Sequence, residues 1–254
     1  MLVHGLGGGA VNFADLAPLL AQRHRVLVLD LPGHGGTEPL NELDGLGDLA
    51  AHVAATAERE EMLPATVVGY SMGGVVALRL AVTRPEAVAA LALVAPGGIV
   101  SQTRRAKIWL AAVAALRPAK LVALVRGPIA RRPNLRVPVF GYWGAQDPRA
   151  LSPSSVLGFL QAQREHTDVR GAATALLRDD PRPDLDRVRC PALLVWGARD
   201  HLIPLADGFE YARRLRCPIR VVPAAGHLVV GEYPAETAAL LEAFLASVEE
   251  PVPA

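Results

Sequence analysis

Short apolar runs alternate with longer segments of helical patterning at both ends of this chain. The runs at residues 2–3, 26–29, 66–68, 91–94, 192–196 and 219–222 are short and mostly apolar, which predicts strands covered on both faces. Residues 12–21, 46–62, 74–83, 205–215 and 235–248 between them carry helical patterning. Strands alternating with helices imply right-handed crossovers, hence an α/β domain with a mostly parallel sheet flanked by helices. The alternation fails over residues 98–189, which are helical in pattern, rich in arginine and punctuated by Pro118, Pro128, Pro133, Pro138 and Pro153. Trp109, Leu110, Val113 and Leu116 share one helical face there. That apolar content is too high for a disordered linker, so a helical cap inserted in the core is expected. The expected division is a core of residues 1–97 and 190–250, a cap of 98–189 and a disordered tail of 251–254. The first strand is short, so the leading strands of such a sheet are expected to be missing here or to lie upstream. Residues 26–29 then border an exposed sheet edge.

Composition narrows the class. The 254 residues suffice for a sizeable core, and 51% of them are hydrophobic. Lysine plus arginine number 26 against 25 acidic residues, a net charge of +1 that offers nucleic acid no electrostatic footprint. No signal-peptide pattern is visible, and the apolar stretch at 108–116 is too short to span a membrane, so a cytoplasmic protein is expected. Cys190 and Cys217 each precede a proline at a strand entrance and read as free thiols without zinc-ligand spacing.

The chemistry is concentrated after strands. Gly69-Tyr70-Ser71-Met72-Gly73 follows a predicted strand and opens a predicted helix, the context of a nucleophile elbow. A serine nucleophile needs a base, an acid to orient the base, and donors for the oxyanion. Asp200 ends Trp196-Gly197-Ala198-Arg199-Asp200 just after a strand and is the expected acid. Trp143-Gly144-Ala145-Gln146-Asp147 closes with similar letters, but Pro138 upstream argues against a central strand, so Asp147 reads as a turn or cap residue. Of seven histidines, only His227 lies in a post-strand loop downstream of both Ser71 and Asp200. His4 reads as support for a glycine loop, and His166 as a cap residue that is solvated or else touches substrate. The expected oxyanion donors are the backbone N–H groups of Met72 and of Leu6 in His4-Gly5-Leu6-Gly7-Gly8-Gly9. A phosphate-binding reading of that loop fails for want of a following Gly-Lys-Ser/Thr, and Asp30 is the nearest residue to a ribose acid.

His4-Gly5, Asp30-Leu31-Pro32-Gly33-His34-Gly35, the elbow, Trp196 to Asp200 and Gly226-His227 together make the chain resemble the α/β-hydrolase superfamily over nearly its whole length. The resemblance implies an eight-stranded, mostly parallel sheet with a cap after strand six, and nucleophile, acid and base on Ser71, Asp200 and His227. It implies no cofactor and no metal. Serine at the nucleophile position disfavours the family's haloalkane dehalogenases and epoxide hydrolases, which use aspartate. Leu228 after the histidine replaces the tryptophan frequent in carbon–carbon hydrolases, and Ser71-Met72-Gly73-Gly74 resembles the elbow of cofactor-free perhydrolases. The expected function is cleavage of an ester, amide or thioester with a largely apolar acyl group, which Trp109, Leu110 and Val113 would line. Acyltransferase, perhydrolase and carbon–carbon hydrolase activities, and ligand binding without turnover, stay open, as does oligomeric state.

Overall fold

A computed structural model describes residues 1–99, 121–141, 144–166 and 168–249. Its strands are β1 (Leu2–Val3), β2 (Val28–Leu29), β3 (Ala65–Tyr70), β4 (Val88–Val94), β5 (Ala192–Gly197) and β6 (Ile219–Val222). They form one six-stranded sheet in the order β2-β1-β3-β4-β5-β6, and every pair is parallel. The α/β class and the parallel sheet expected from the alternation are both present.

Burial tracks position in the sheet. The central strands β3 to β5 are almost wholly buried, whereas β6 at one edge exposes Arg220 and Val221. β2 forms the other edge. Successive residues face opposite sides of a strand, and this sorts the interior into two cores. Val67, Leu91, Leu93 and Leu194 join one core, while Val68, Ala92, Val94, Leu193 and Val195 join the other. Each buried Val or Leu contributes roughly 1.5–3 kcal/mol by leaving water.

Helices cover both faces. Among the described residues they are, in chain order, α1 (Ala17–Leu20), α2 (Leu46–Arg59), α3 (Met72–Thr83), α4 (Arg126–Arg131), α5 (Pro133–Phe140), α6 (Pro153–Glu165), α7 (Arg170–Arg178), α8 (Arg182–Leu185), α9 (Leu205–Leu215), α10 (Val229–Glu232) and α11 (Pro234–Glu249). α2 and α3 supply Leu46, Leu49, Val53, Val75 and Leu78 to the first core, and α11 supplies Ala238 and Leu241 to the second. The helix expected over 12–21 is instead a 3-10 turn at Ala10–Phe13 followed by α1. Pro18, in the first turn of α1, has no N–H to continue a preceding helix. The described part of 98–189 contributes α4 to α8 and no strand. Among the described residues, no helix is long and apolar enough to cross a membrane.

The sheet order fixes where a site can form. From β1 the chain passes outward to β2, then returns across β1 to β3 and continues to β6. The loops after β1 and β3 therefore leave neighbouring strands at a topological switch point, where open α/β sheets place their ligand crevices.

Candidate active site

Ser71 occupies the turn between β3 and α3 with φ 55° and ψ −120°, a conformation that side chains other than glycine rarely adopt. Several hydrogen bonds hold it there. Its amide donates to the Val94 carbonyl at 3.0 Å, and its carbonyl accepts from Gly74 N and Gly97 N, both at 3.0 Å. The flanking glycines let backbone pass on both sides. A Cβ on Gly69 would meet Gly74 Cα at 2.6 Å, and one on Gly73 would collide with the carbonyl oxygens of Val3 and His4. The elbow thus packs directly on β1 and on the helix it opens.

His227 lies 3.1 Å through Nε2 from Ser71 Oγ and 2.8 Å through Nδ1 from Asp200 Oδ2. A carboxylate only accepts, so Nδ1 carries the proton and Nε2 is free to accept the serine hydroxyl proton. Asp200 and His227 are both buried, at 8% and 2% exposure, which shields this pair from competing water. The carboxylate is fixed from its other side. Its Oδ1 accepts the amides of Leu202 at 2.9 Å and Ile203 at 2.8 Å, in the loop leaving β5. Tyr70 packs its ring 5.3 Å from that of His227, and burial, then the charges of Asp200 and Glu232, push its hydroxyl well above the usual tyrosine range. The phenol therefore stays neutral beside the imidazole.

The loop after β1 runs against Ser71. A Cβ on Gly5 would meet Ser71 Cβ at 2.8 Å and Oγ at 3.3 Å. His4 holds this loop from below: its Nδ1–H donates to the Gly5 carbonyl at 2.8 Å, and its Nε2 accepts the Leu31 amide at 3.0 Å. Both bonds require a neutral ring, and burial, then nearby His34, holds the His4 pKa well below its usual value. Among the described residues neither the Leu6 amide nor the Met72 amide has a protein acceptor. The Met72 amide opens α3, where unpaired N–H groups favour negative charge.

Of the remaining expected residues, Asp147 lies in a turn as expected and His166 does not lie in solvent. Asp147 is exposed and accepts from Arg149 N in its own turn, yet its segment touches the site through backbone. Leu228 N donates to Gly144 O at 3.0 Å, so the look-alike motif braces the histidine loop without offering its acid. His166 is not solvated as expected. It is 6% exposed, and its Nε2–H donates to the Gly7 carbonyl at 2.8 Å, because the end of α6 packs onto the loop after β1. Trp109, Leu110 and Val113 lie outside the described residues. No cluster of three or more metal-ligating side chains occurs among the described residues.

Glu232 was not anticipated. Its buried carboxylate accepts the Gly226 amide at 2.8 Å and the Gln146 amide at 2.7 Å, tying the histidine loop to residues 144–147. Burial raises its pKa, against the backbone donors that lower it. A lone acid after the apolar run Leu228 to Gly231 is the only trace of this role in the sequence.

Residues 1–240 match the sequence profile of the family described as the alpha/beta hydrolase family. The chain is 32% identical to the dihydrolipoyllysine-residue acetyltransferase component of the acetoin cleaving system of Pseudomonas putida, over 96% of this chain but only 62% of that protein. It is also 32% identical to the pimeloyl-[acyl-carrier protein] methyl ester esterase of Chromobacterium violaceum, over 85% of this chain and 81% of that protein. Among solved structures, a membrane phospholipase A described as a bacterial virulence factor superposes with a TM-score of 0.75 at 25% identity. That match covers 98% of this chain and 79% of the other.

Proposed function

The chain belongs to the alpha/beta hydrolase family, and on that premise we propose that it is a serine hydrolase cleaving a carboxylic ester through an acyl-enzyme on Ser71. One observation carries the reading: the unbroken relay of Ser71 Oγ, His227 and Asp200, with spacings of 3.1 and 2.8 Å, at the switch point of the sheet. His227 Nε2 takes the hydroxyl proton as Ser71 Oγ attacks the ester carbonyl. Asp200 keeps Nδ1 protonated and stabilises the imidazolium without accepting the proton. The carbonyl oxygen becomes an oxyanion that the Leu6 and Met72 amides receive. Collapse expels the alcohol, protonated by His227, and a water then resolves the acyl-enzyme by the same steps in reverse.

The described helices between residues 121 and 189 belong to the cap in this reading, and the acyl group is largely apolar; amides and thioesters are further substrates of the same site. A cytoplasmic location belongs to the proposal. Transfer of the acyl group to an acceptor other than water is the second reading, favoured by the match to a protein named as an acetyltransferase component. Product analysis with added alcohol or thiol acceptors separates the two.

The test is stoichiometric labelling by a fluorophosphonate, together with turnover of acyl esters of graded length. Ser71→Ala should abolish labelling and lower kcat by about 10⁶-fold. Labelling that survives the substitution removes Ser71 as nucleophile.

A further inference from the structure

We propose that Gln163 and His166, at the carboxyl end of α6, are positioning residues that set the direction of the Leu6 N–H through two peptide planes. The inference rests on the reading above, in which Leu6 N–H receives the oxyanion.

A trans peptide is planar, with its C=O and N–H pointing in opposite directions, so fixing one fixes the other. The first plane joins Gly7 to Gly8. Its carbonyl, Gly7 O, accepts from Gln163 Nε2 and from His166 Nε2, the latter at 2.8 Å. Its N–H, that of Gly8, consequently points back and donates to Gly5 O at 3.0 Å. The second plane joins Gly5 to Leu6. Gly5 O accepts from Gly8 N and from His4 Nδ1, the latter at 2.8 Å, so the Leu6 N–H is driven the opposite way. This plane lies beside the nucleophile, as the approach of Gly5 to Ser71 requires. Gly7 makes the geometry possible with φ 67°, in the left-handed region. Hydrogen bonds in such a chain also polarise one another, which makes the terminal Leu6 N–H a better donor.

The donors at the start of the chain are held rigidly. Asp15 accepts the hydroxyls of Ser152, Ser154 and Ser155 at the other end of α6. Ala162 and Gly158 pack on the same segment, since a Cβ on Gly9 would meet Ala162 Cβ at 3.5 Å and one on Gly158 would meet the Val11 carbonyl carbon at 3.1 Å. His166 sits edge-on to His34, with ring centroids 5.4 Å apart. α6 is thus a strut clamped to the core at both ends, and its final turn grips the oxyanion loop.

The experiment compares wild type, Gln163→Met, His166→Phe, the double variant and Ser71→Ala. It reads kcat and KM on a short-chain p-nitrophenyl ester, inhibition by an alkyl boronic acid, and melting temperature. The boronate adduct is tetrahedral and places an oxygen where the oxyanion forms. The double variant should lose about 10- to 100-fold in kcat, less than the 10²–10³-fold of a deleted donor. Boronate binding should weaken by the same factor, while KM stays within about twofold. Each single variant should keep most of the activity, because one donor still holds Gly7 O. Unchanged kcat and boronate affinity in the double variant overturn the inference, as does a loss that KM and melting temperature share in full. If that double variant does not fold, the pair Gln163→Ala and His166→Leu, which also removes both donors to Gly7 O, replaces it and is read by the same criteria. The second-order rate of fluorophosphonate labelling gives the same comparison without a substrate. A dead Ser71→Ala beside a fully active double variant sinks this inference alone; an active or labelled Ser71→Ala sinks the hydrolase reading with it.

Discussion

Ser71 shows how much a single residue's conformation costs and what keeps it. Its positive φ stores on the order of 1–3 kcal/mol, offset by hydrogen bonds to β4 and to Gly97. Glycine tolerates that conformation, so Ser71→Gly should be more stable than Ser71→Ala by about 1 kcal/mol, measured by urea unfolding. Equal stabilities would mean the turn is not strained. Asp200 makes the next prediction. Its two oxygens accept from His227 Nδ1, Leu202 N and Ile203 N, and an amide in its place must turn an NH₂ toward one of those donors. Asp200→Asn should fold normally yet lower kcat by about 10⁴-fold through the wrong imidazole tautomer. The elbow glycine Gly73 has no room for a side chain, and Gly73→Ala should cost about 1–3 kcal/mol as β1 is displaced. These residues were legible because each obeys a local rule. Glu232 was not, since its partners Gly226 and Gln146 come together only in the folded chain.

The elements nearest the site are pinned by ions as well as by packing. Arg79 on α3 donates to the carboxylates of Asp179 and Asp184 and to the Asp180 carbonyl, joining α3 to α8 and to the link before it. Burial alone would lower the arginine pKa, but its carboxylate partners raise it overall. Removing the guanidinium would take a shared cation from two mostly buried carboxylates, with Asp184 keeping its exposed partner Arg187. Arg79→Leu should therefore destabilise the protein by about 3 kcal/mol, read from chemical unfolding. A change below about 0.5 kcal/mol would place this network with ordinary surface pairs. Helical patterning revealed α2, α3, α9 and α11 to within a few residues, because α2, α9 and α11 bury one apolar face and α3 is an apolar run of helical length buried on nearly every side. It carried no information about which carboxylates α3 would meet.

Across the whole molecule, three histidines join separate parts of the chain. His4 follows β1, His34 follows β2 and His166 follows α6, with centroids 5.0 Å apart for His4–His34 and 5.4 Å for His34–His166. Burial lowers the pKa of His4 and of His34 from 6.5, against opposing contributions that include Asp30 and Asp168 beside His34. The unfolded chain thus binds protons that the folded chain refuses. Stability from these groups is full above pH 6.5 and is lost as pH falls below it, by up to about 1.4 kcal/mol per histidine per pH unit. Urea midpoints should fall from pH 7.5 to pH 5, and the decline should be shallower in His34→Phe. A pH-independent midpoint would exclude buried neutral histidines.

The sequence by itself determined the α/β class, the parallel sheet, the strand-to-helix turn at Ser71 and the post-strand positions of Asp200 and His227. All of these follow from rules acting over a few residues: apolar runs, helical spacing, and glycine where backbone crowds. Only the tertiary structure decided what touches what. β1 lies between β2 and β3, which pairs Val3 with Gly69 and puts the His4 loop beside Ser71. It also set Gly144 against the histidine loop, buried His166, and let the end of α6 grip Gly7. Such contacts join residues far apart along the chain, and strand order and helix docking create them, so no local pattern records them.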